Sequence, residues 1–480
     1  MPPLLLSARA AGVLLAHWRD GSTGTAYEAL ADAIRVLVID GRIAVGARLP
    51  AERQLAETLG LSRTTVATAY ARLREDGFVD SVRGSGSVVR LPSSVAGRPD
   101  PDRLGAPIPD GEVLDLRKAA LHAAPGIMEA TERAMRHLPA ALAEMGYDTV
   151  GDPGLRAAIA DRYTARGLPT GPEQIMVTLG AQHAIALLAR VLVGRGDSVL
   201  VESPTYPHAH EALRAAGGRL VPVPVSATDG WDTAALATAM RRTSPALAYV
   251  MPDLHNPTGA SMTTADREVL LTAAADAGTV VVADETMGEL RLDGGPVPPI
   301  ATLGPAVLIG SASKVFWGAL RVGWIRAEPS LLQRLALARP TGDLGTPLLE
   351  QLVVRELVPT TDAVLEERRR QLREGRDHVV GELRARIPEW DVPSPGGGLT
   401  TWVGLGRPVS SALVLAARSE GVALASGGVF GPDGGFERFV RVPFCGGPAD
   451  RQRLVEALDR AWRRVGGMET SGVRSLAAVV

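Results

Sequence analysis

The chain has 480 residues, 46% of them hydrophobic and 22% charged, with a formal net charge of -2 at pH 7. That length holds roughly three domains' worth of chain, and one cysteine, Cys445, excludes an intramolecular disulfide framework and makes a cytoplasmic location the expected one. No apolar run approaches the roughly 20 residues that cross a bilayer, so no membrane partner is expected, while the near-neutral charge neither demands nor excludes nucleic acid.

Residues 1–24 read as an N-terminal arm: "LLLSARAAGVLLAHW" contains Arg9, lacks a basic start and shows no small-residue cleavage site, so it is an amphipathic segment rather than a signal peptide. Residues 25–90 then have the grammar of a winged helix-turn-helix. An amphipathic helix, "YEALADAIRVLVIDG", ends at Gly41. "LPAERQLAETLG" follows, its Pro-Ala-Glu suiting a helix start and Gly60 a helix stop. "LSRTTVATAYARLREDGF" opens with Ser62 as a candidate N-cap and places Val66, Tyr70 and Leu73 on one face. Finally "VDSVRGSGSVVRL" is two β-like runs around a glycine-rich tip, the shape of a wing. The start of the second helix of such a motif enters the major groove, which places Arg63, Thr64 and Thr65 to touch bases and phosphates. Arg53, in the preceding helix, and Arg83 with Gly84, at the wing tip, complete the expected DNA-contacting set. Helix hairpin plus β-hairpin also suits a protein-interaction module. The run "LPAERQLAETLGLSRTTVATAYARLREDGFVDSVRGSGS" closely resembles the winged helix of GntR-type regulators, which implies double-stranded operator DNA as partner. Ala67 stands where some of those proteins have arginine, so no base preference is carried over.

Residues 91–112, rich in Pro, Gly, Asp and Ser, lack apolar periodicity and read as a linker. From 113 to 354, the short runs "QIMVTLG", "DSVLVESP", "ALAYVMPD", "TVVVADE" and "AVLIGSAS" each follow a helix-like segment, which argues a mostly parallel sheet flanked by helices. Residues 355–466 open with the charged helix "LEERRRQLREGRDHVVGELRARI" and continue through strand-like "LTTWVGL" and "FVRVPF", a smaller α+β subdomain, with 467–480 as a tail. The fold expected is therefore multidomain: a mainly α winged helix, then a large α/β domain with an α+β subdomain.

Only two lysines occur, Lys118 in a linker-like segment and Lys314; arginine supplies every other strong cation. A surface cation needs no lysine, whereas a group that must lose a proton and attack a carbonyl cannot be arginine. Around Lys314, "SASKVFWGALR" brings Ser311, Ser313 and Arg321, hydroxyls and a guanidinium suited to a phosphate dianion. Gly180, Ala181 and Gln182 in "VTLGAQHAI" lie where a strand yields to a helix, so their N–H groups suit the same phosphate. No metal site is expected.

With "VVVADET", "HNPTG", "SPTYP", "GYDTVGDPGLR" and "FVRVPF", these motifs occur in the order of the fold type I pyridoxal 5'-phosphate (PLP) enzymes of the aspartate aminotransferase kind, which the chain resembles from about residue 115 onward. The resemblance implies PLP as cofactor, held as a Schiff base on Lys314. It also implies that Asp284 pairs with the pyridine nitrogen, Asn256 hydrogen-bonds the ring oxygen and Tyr206 stacks on the ring. Tyr147 then reaches the phosphate of a neighbouring subunit, which makes the protein a homodimer, and Arg441 holds the α-carboxylate of an amino acid. Two positions depart from the pattern: Met287 replaces a tyrosine that donates to the ring oxygen, and Gly318-Ala319 replaces Pro-Gly.

A winged helix linked to such a domain resembles the MocR-type branch of the GntR regulators. That resemblance implies a cytoplasmic homodimer that reads paired half-sites and takes PLP, or its adduct with an amino acid or amine, as effector. Two rivals stand beside it: a working aminotransferase with an accessory N-terminal module, and a DNA-binding protein whose PLP domain is only a dimerisation scaffold. Met287 weighs against turnover, and the retained Lys314 against a mere scaffold.

Overall fold

The computed structural model describes residues 6–16, 18–19, 25–39, 42–43, 45–82, 86–90, 113–143, 145–431 and 434–476. Within 6–90 four helices are found: α1 (Ala8–Leu14), α2 (Ala26–Ile39), α3 (Glu52–Leu59) and α4 (Arg63–Glu75). The Ser62 hydroxyl accepts from Thr65 N at 3.0 Å and so caps α4, while α3 stops at Gly60, whose φ of 65° is the left-handed conformation glycine adopts without a Cβ penalty. Val66, Tyr70 and Leu73 of α4 are buried, and the Tyr70 hydroxyl donates to Pro50 O at 3.0 Å, tying α4 to the entry of α3. An antiparallel hairpin of β1 (Val79–Val82) and β2 (Gly86–Val89) follows, in register Val79 to Val89. Ala11 and Leu15, in and just after α1, lie in the same core as Leu30, Ile34, Leu55 and Tyr70, so this part of the arm packs on the winged helix.

After residue 112, β3 (Leu114–Asp115) opens the second region. Its eight-stranded sheet is built from β4 (Ile175–Thr178), β5 (Ser198–Ser203), β6 (Arg219–Ser226), β7 (Gly230–Trp231), β8 (Leu247–Val250), β9 (Val280–Asp284), β10 (Val307–Ser311) and β11 (Gly323–Arg326), in the order 4-11-10-9-8-5-6-7. The five central strands, β10, β9, β8, β5 and β6, run parallel, and β4, β5 and β8 to β10 read as nearly unbroken apolar runs because both faces are covered. Antiparallel pairing enters only at β11, against β10 and β4, and at β7.

A smaller unit follows. β12 (Thr400–Gly404) pairs antiparallel with β14 (Phe439–Pro443), matching the two strand-like runs read from sequence, and helices Thr361–Arg386 and Pro448–Leu476 pack together. β13 (Val422–Ala423) pairs in parallel with β3, so the chain at residues 114–115 joins this unit before entering the large sheet. Among the described residues no helix is long and apolar enough to cross a membrane.

Candidate functional site

Parallel strands end together at one edge of the sheet, where α/β folds leave a crevice for ligands. Thr178, Asp284 and Ser311 terminate β4, β9 and β10, and the helix Gly180–Leu192 starts at the same edge. That helix has no side-chain cap, so its first-turn N–H groups retain their capacity for an anion. Gly180 has φ of 77°, and a Cβ there would lie 2.6 Å from Arg321 Nη2. Gly323 is tighter still: its Cβ would meet Gly180 C at 2.6 Å and Ala181 N at 2.8 Å, so only glycine lets β11 approach the turn. Arg321 Nη2 donates to Leu179 O at 3.1 Å, and Ser311 Oγ donates to Ser313 Oγ at 3.0 Å. Gly180, Ser311 and Arg321, which belong to three separate elements, are thus brought close together. Gly318-Ala319, the departure from the family pattern, forms a short 3-10 turn, and Arg321 after it takes a left-handed φ of 49°.

Asp284, at the end of β9, is buried. Its Oδ2 accepts from the Tyr249 hydroxyl at 2.8 Å and its Oδ1 from Thr286 N at 2.9 Å. Burial raises the carboxyl's pKa, opposed by the Thr286 and Tyr249 hydrogen bonds and by the Lys314 charge. Lys314 Nζ donates to Ala119 O at 2.7 Å, and burial, reinforced by the Arg441 and Arg321 charges, lowers its pKa against the pull of Cys445 and Asp284. That direction favours the neutral amine a nucleophile requires. Arg441 is buried with its guanidinium 4.8 Å above the Phe430 ring, and its Nη1 donates to Asn256 Oδ1 at 3.1 Å. Burial pushes it down to about 10. Tyr206, pushed up to about 12 by burial and by the Asp284 charge, shares this environment. Met287 is buried in the hydrophobic core. Tyr147 stands 77% exposed.

Sequence reading missed Tyr249, Cys445 and the 117–120 backbone, whose carbonyls receive donors from the site. It also missed a cavity lined by Arg162, Tyr163, Arg166, Glu285, Glu289 and Trp324. There Arg166 Nη1 stands 3.5 Å from Glu285 Oε2, Glu285 Oε1 has no partner, and burial pushes the Glu285 carboxyl up to about 7. A tyrosine within the apolar run "ALAYVM" was the one available signal for Tyr249, since a buried hydroxyl needs a partner.

At the start of α4, Arg63 is 76% exposed, with its Nε 3.8 Å from Glu52 Oε2, and Thr64 is exposed. Thr65 Oγ1 lies 2.8 Å from Ser62 Oγ, and Arg53 pairs with Glu57 at 3.0 Å while its side chain stays 82% exposed. Arg83 and Gly84 lie outside the described residues. Arg48, not singled out from sequence, bridges to Val88 and lays its guanidinium against Gly86 at the wing.

The residues fit PLP: an uncapped helix start with two glycines held open, hydroxyls and a guanidinium beside it, a buried carboxylate, and a lysine disposed toward its neutral form. Among the described residues, Gln182 Oε1, Thr205 Oγ1 and Arg441 Nε are buried without hydrogen-bond partners. Residues 26–89 match the bacterial regulatory proteins of the gntR family, and residues 118–458 match aminotransferase class I and II. The chain is 32% identical over 391 residues to 2-aminoadipate transaminase of Thermus thermophilus, covering 80% of this chain and 94% of that one. It is also 32% identical over 392 residues to a probable rhizopine catabolism regulatory protein, MocR, of Rhizobium meliloti, covering 76% and 78%. Among solved structures, LysN, an α-aminoadipate aminotransferase from Thermus thermophilus complexed with N-(5'-phosphopyridoxyl)-L-leucine, aligns with a TM-score of 0.67 at 31% identity, covering 75% of this chain and 93% of that chain. The chain belongs to the aminotransferase class I and II family and, carrying a GntR-family helix-turn-helix at its N-terminus, has the MocR-type regulator architecture.

Proposed function

We propose that this protein is a cytoplasmic, homodimeric transcription regulator that binds operator DNA through its winged helix and takes PLP, alone or joined to an amino acid or amine, as effector. The observation that carries this reading is one chain holding both an exposed recognition-helix start, at Arg63 and Thr64, and a cofactor cradle whose tyrosine position is Met287. Its working limits are 25–90 for the DNA reader, 113–354 for the large cofactor-binding domain and 355–466 for the small subdomain.

When bound, PLP supplies an aldehyde and an electron-withdrawing ring. The chain supplies the rest. Lys314 offers its amine, disposed toward the neutral form by burial. Asp284, oriented by Tyr249 and Thr286, offers a carboxylate to a protonated ring nitrogen. The turn at Gly180, Ala181 and Gln182, with Ser311, Ser313 and Arg321, holds the phosphate, and Tyr147 completes that cup in the neighbouring subunit. Arg441 and Asn256, already hydrogen-bonded to each other, would receive an effector carboxylate and the ring oxygen. At position 287 a thioether cannot donate to that oxygen, so the site binds without the tuning that turnover requires.

The test is a titration of the full-length protein against DNA from upstream of its own coding region, at one fixed salt concentration, with and without PLP, because phosphate contacts make affinity salt-dependent. Sequence-specific binding that shifts with PLP supports the regulator. Failure to bind, with half-transamination of amino acids seen by absorbance, supports the second reading, a working aminotransferase. The meeting of Lys314, Asp284 and Arg441, and 94% coverage of a transaminase, favour that alternative.

A further inference from the structure

Residues 113–124 follow the 91–112 linker directly in sequence, and their attachments alternate between scaffold and site. At the near end, Leu114 N donates to Gly421 O and Leu116 N to Ala423 O, both at 2.9 Å, clamping β3 to β13. The Asp115 carboxylate then accepts from Arg117 N, Nε and Nη2 at 3.1, 3.0 and 3.0 Å, which fixes a bend. At the far end, Arg368 Nη2 donates to His122 O at 2.6 Å and Ala124 N to Phe316 O at 2.8 Å. Between these anchors the donors come from the cofactor site. Arg441 Nη2 donates to Arg117 O, Lys314 Nζ to Ala119 O at 2.7 Å, and Cys445 Sγ to Ala120 O at 3.5 Å.

We propose that residues 113–124 form a strap that relays occupancy of the cofactor site to the linker, because Lys314 and Arg441, which would take the cofactor and the effector carboxylate, are the donors that hold its middle. This rests on the reading of a PLP-responsive regulator. Condensation of the neutral Lys314 amine with an aldehyde forms a C=N bond and expels one water. The neutral amine carries two N–H and the unprotonated imine nitrogen carries none, so Ala119 O loses its donor. A carboxylate at Arg441 competes with Arg117 O for the same guanidinium, and a charge-assisted hydrogen bond is roughly twice as strong as one to a neutral carbonyl. A carbonyl deprived of its partner must find water or another donor, which shifts the middle of the strap and pulls on its near anchor, β3. The linker is attached to the near end.

Hydrogen exchange on the full-length protein tests this, because ordinary ligand binding slows exchange throughout a domain. The strap should do the reverse: on PLP addition, amides in 113–124 exchange faster, by about threefold or more, while the sheet strands exchange more slowly. Asp115→Asn, which loosens the bend and touches neither cofactor nor DNA, supplies the second arm. Its PLP and operator affinities should stay within about threefold of wild type, while the PLP-induced shift in operator affinity largely disappears. An operator shift in the wild type with strap exchange unchanged or slowed overturns the relay and leaves the regulator standing. An operator affinity that ignores PLP, although the absorbance of lysine-bound cofactor appears, overturns the regulator and the relay together. Should Asp115→Asn fail to fold, the wild-type exchange arm still decides.

Discussion

Tyr249 donates to the Asp284 carboxylate and Lys314 acts on it through its charge, yet of the two only Lys314 was legible from the chain alone. Lysine declares itself because arginine cannot deprotonate, and here arginine does nearly all other cationic work. Tyr249 lies 35 residues before Asp284, and only the β8–β9 register, which sets Tyr249 opposite Val282, brings its hydroxyl to Oδ2. No local pattern encodes that pairing. Lys314→Ala should abolish the near-visible absorbance of lysine-bound PLP while circular dichroism remains that of the folded protein; a persisting band would remove Lys314 from its role. Tyr249→Phe acts more mildly. Removing a hydrogen bond to a buried charged group costs about 1.5 to 3 kcal/mol, and the Asp284 carboxyl, already raised by burial, rises further. PLP affinity should therefore fall on the order of tenfold or more by absorbance titration. An unchanged Kd would make Tyr249 a packing residue only.

At the scale of elements, helices with local signals were the readable ones. Ser62 caps α4, Gly60 ends α3, and the buried face of Val66, Tyr70 and Leu73 follows the helical period. The strap was not readable: Lys118 lies in a stretch without periodicity, and what orders it is a set of side-chain donors from distant parts of the chain. The close approach of β11 to the Gly180 turn was likewise hidden, since a glycine in a strand does not announce which backbone it faces. Gly323→Ala forces a Cβ against Gly180 and Ala181 backbone, which cannot rotate away. The phosphate cradle should suffer more than the ring site, so the ratio of PLP to pyridoxal affinity should drop by about tenfold, equivalent to roughly 1.4 kcal/mol. Equal losses for both ligands would mean general destabilisation instead. In the other region, Arg63→Ala should weaken specific operator binding by about 1 to 3 kcal/mol if it makes a bidentate base contact. Competition titration against unrelated DNA checks it, and undiminished specificity would exclude Arg63 from base readout.

For the whole molecule, joining a GntR-family helix-turn-helix to a cofactor site in one chain has a thermodynamic consequence. If PLP changes operator affinity by some factor through a shared equilibrium, operator DNA must change PLP affinity by the same factor. A tenfold tightening of operator binding, about 1.4 kcal/mol, therefore requires a tenfold tightening of PLP binding on saturating operator at the same salt concentration. The chain's scarcity of lysine makes the experiment unusually clean, because only Lys118 offers a second side-chain amine for an aldehyde, and it is exposed on the strap. Lys118→Arg removes that alternative while keeping the charge. In this variant, equal factors, with PLP binding read from the absorbance of the lysine-bound cofactor, tie the coupling to Lys314. A PLP effect on DNA without its converse would place the effect outside the cofactor site, and an effect lost with Lys118 would assign it to the strap's own surface amine.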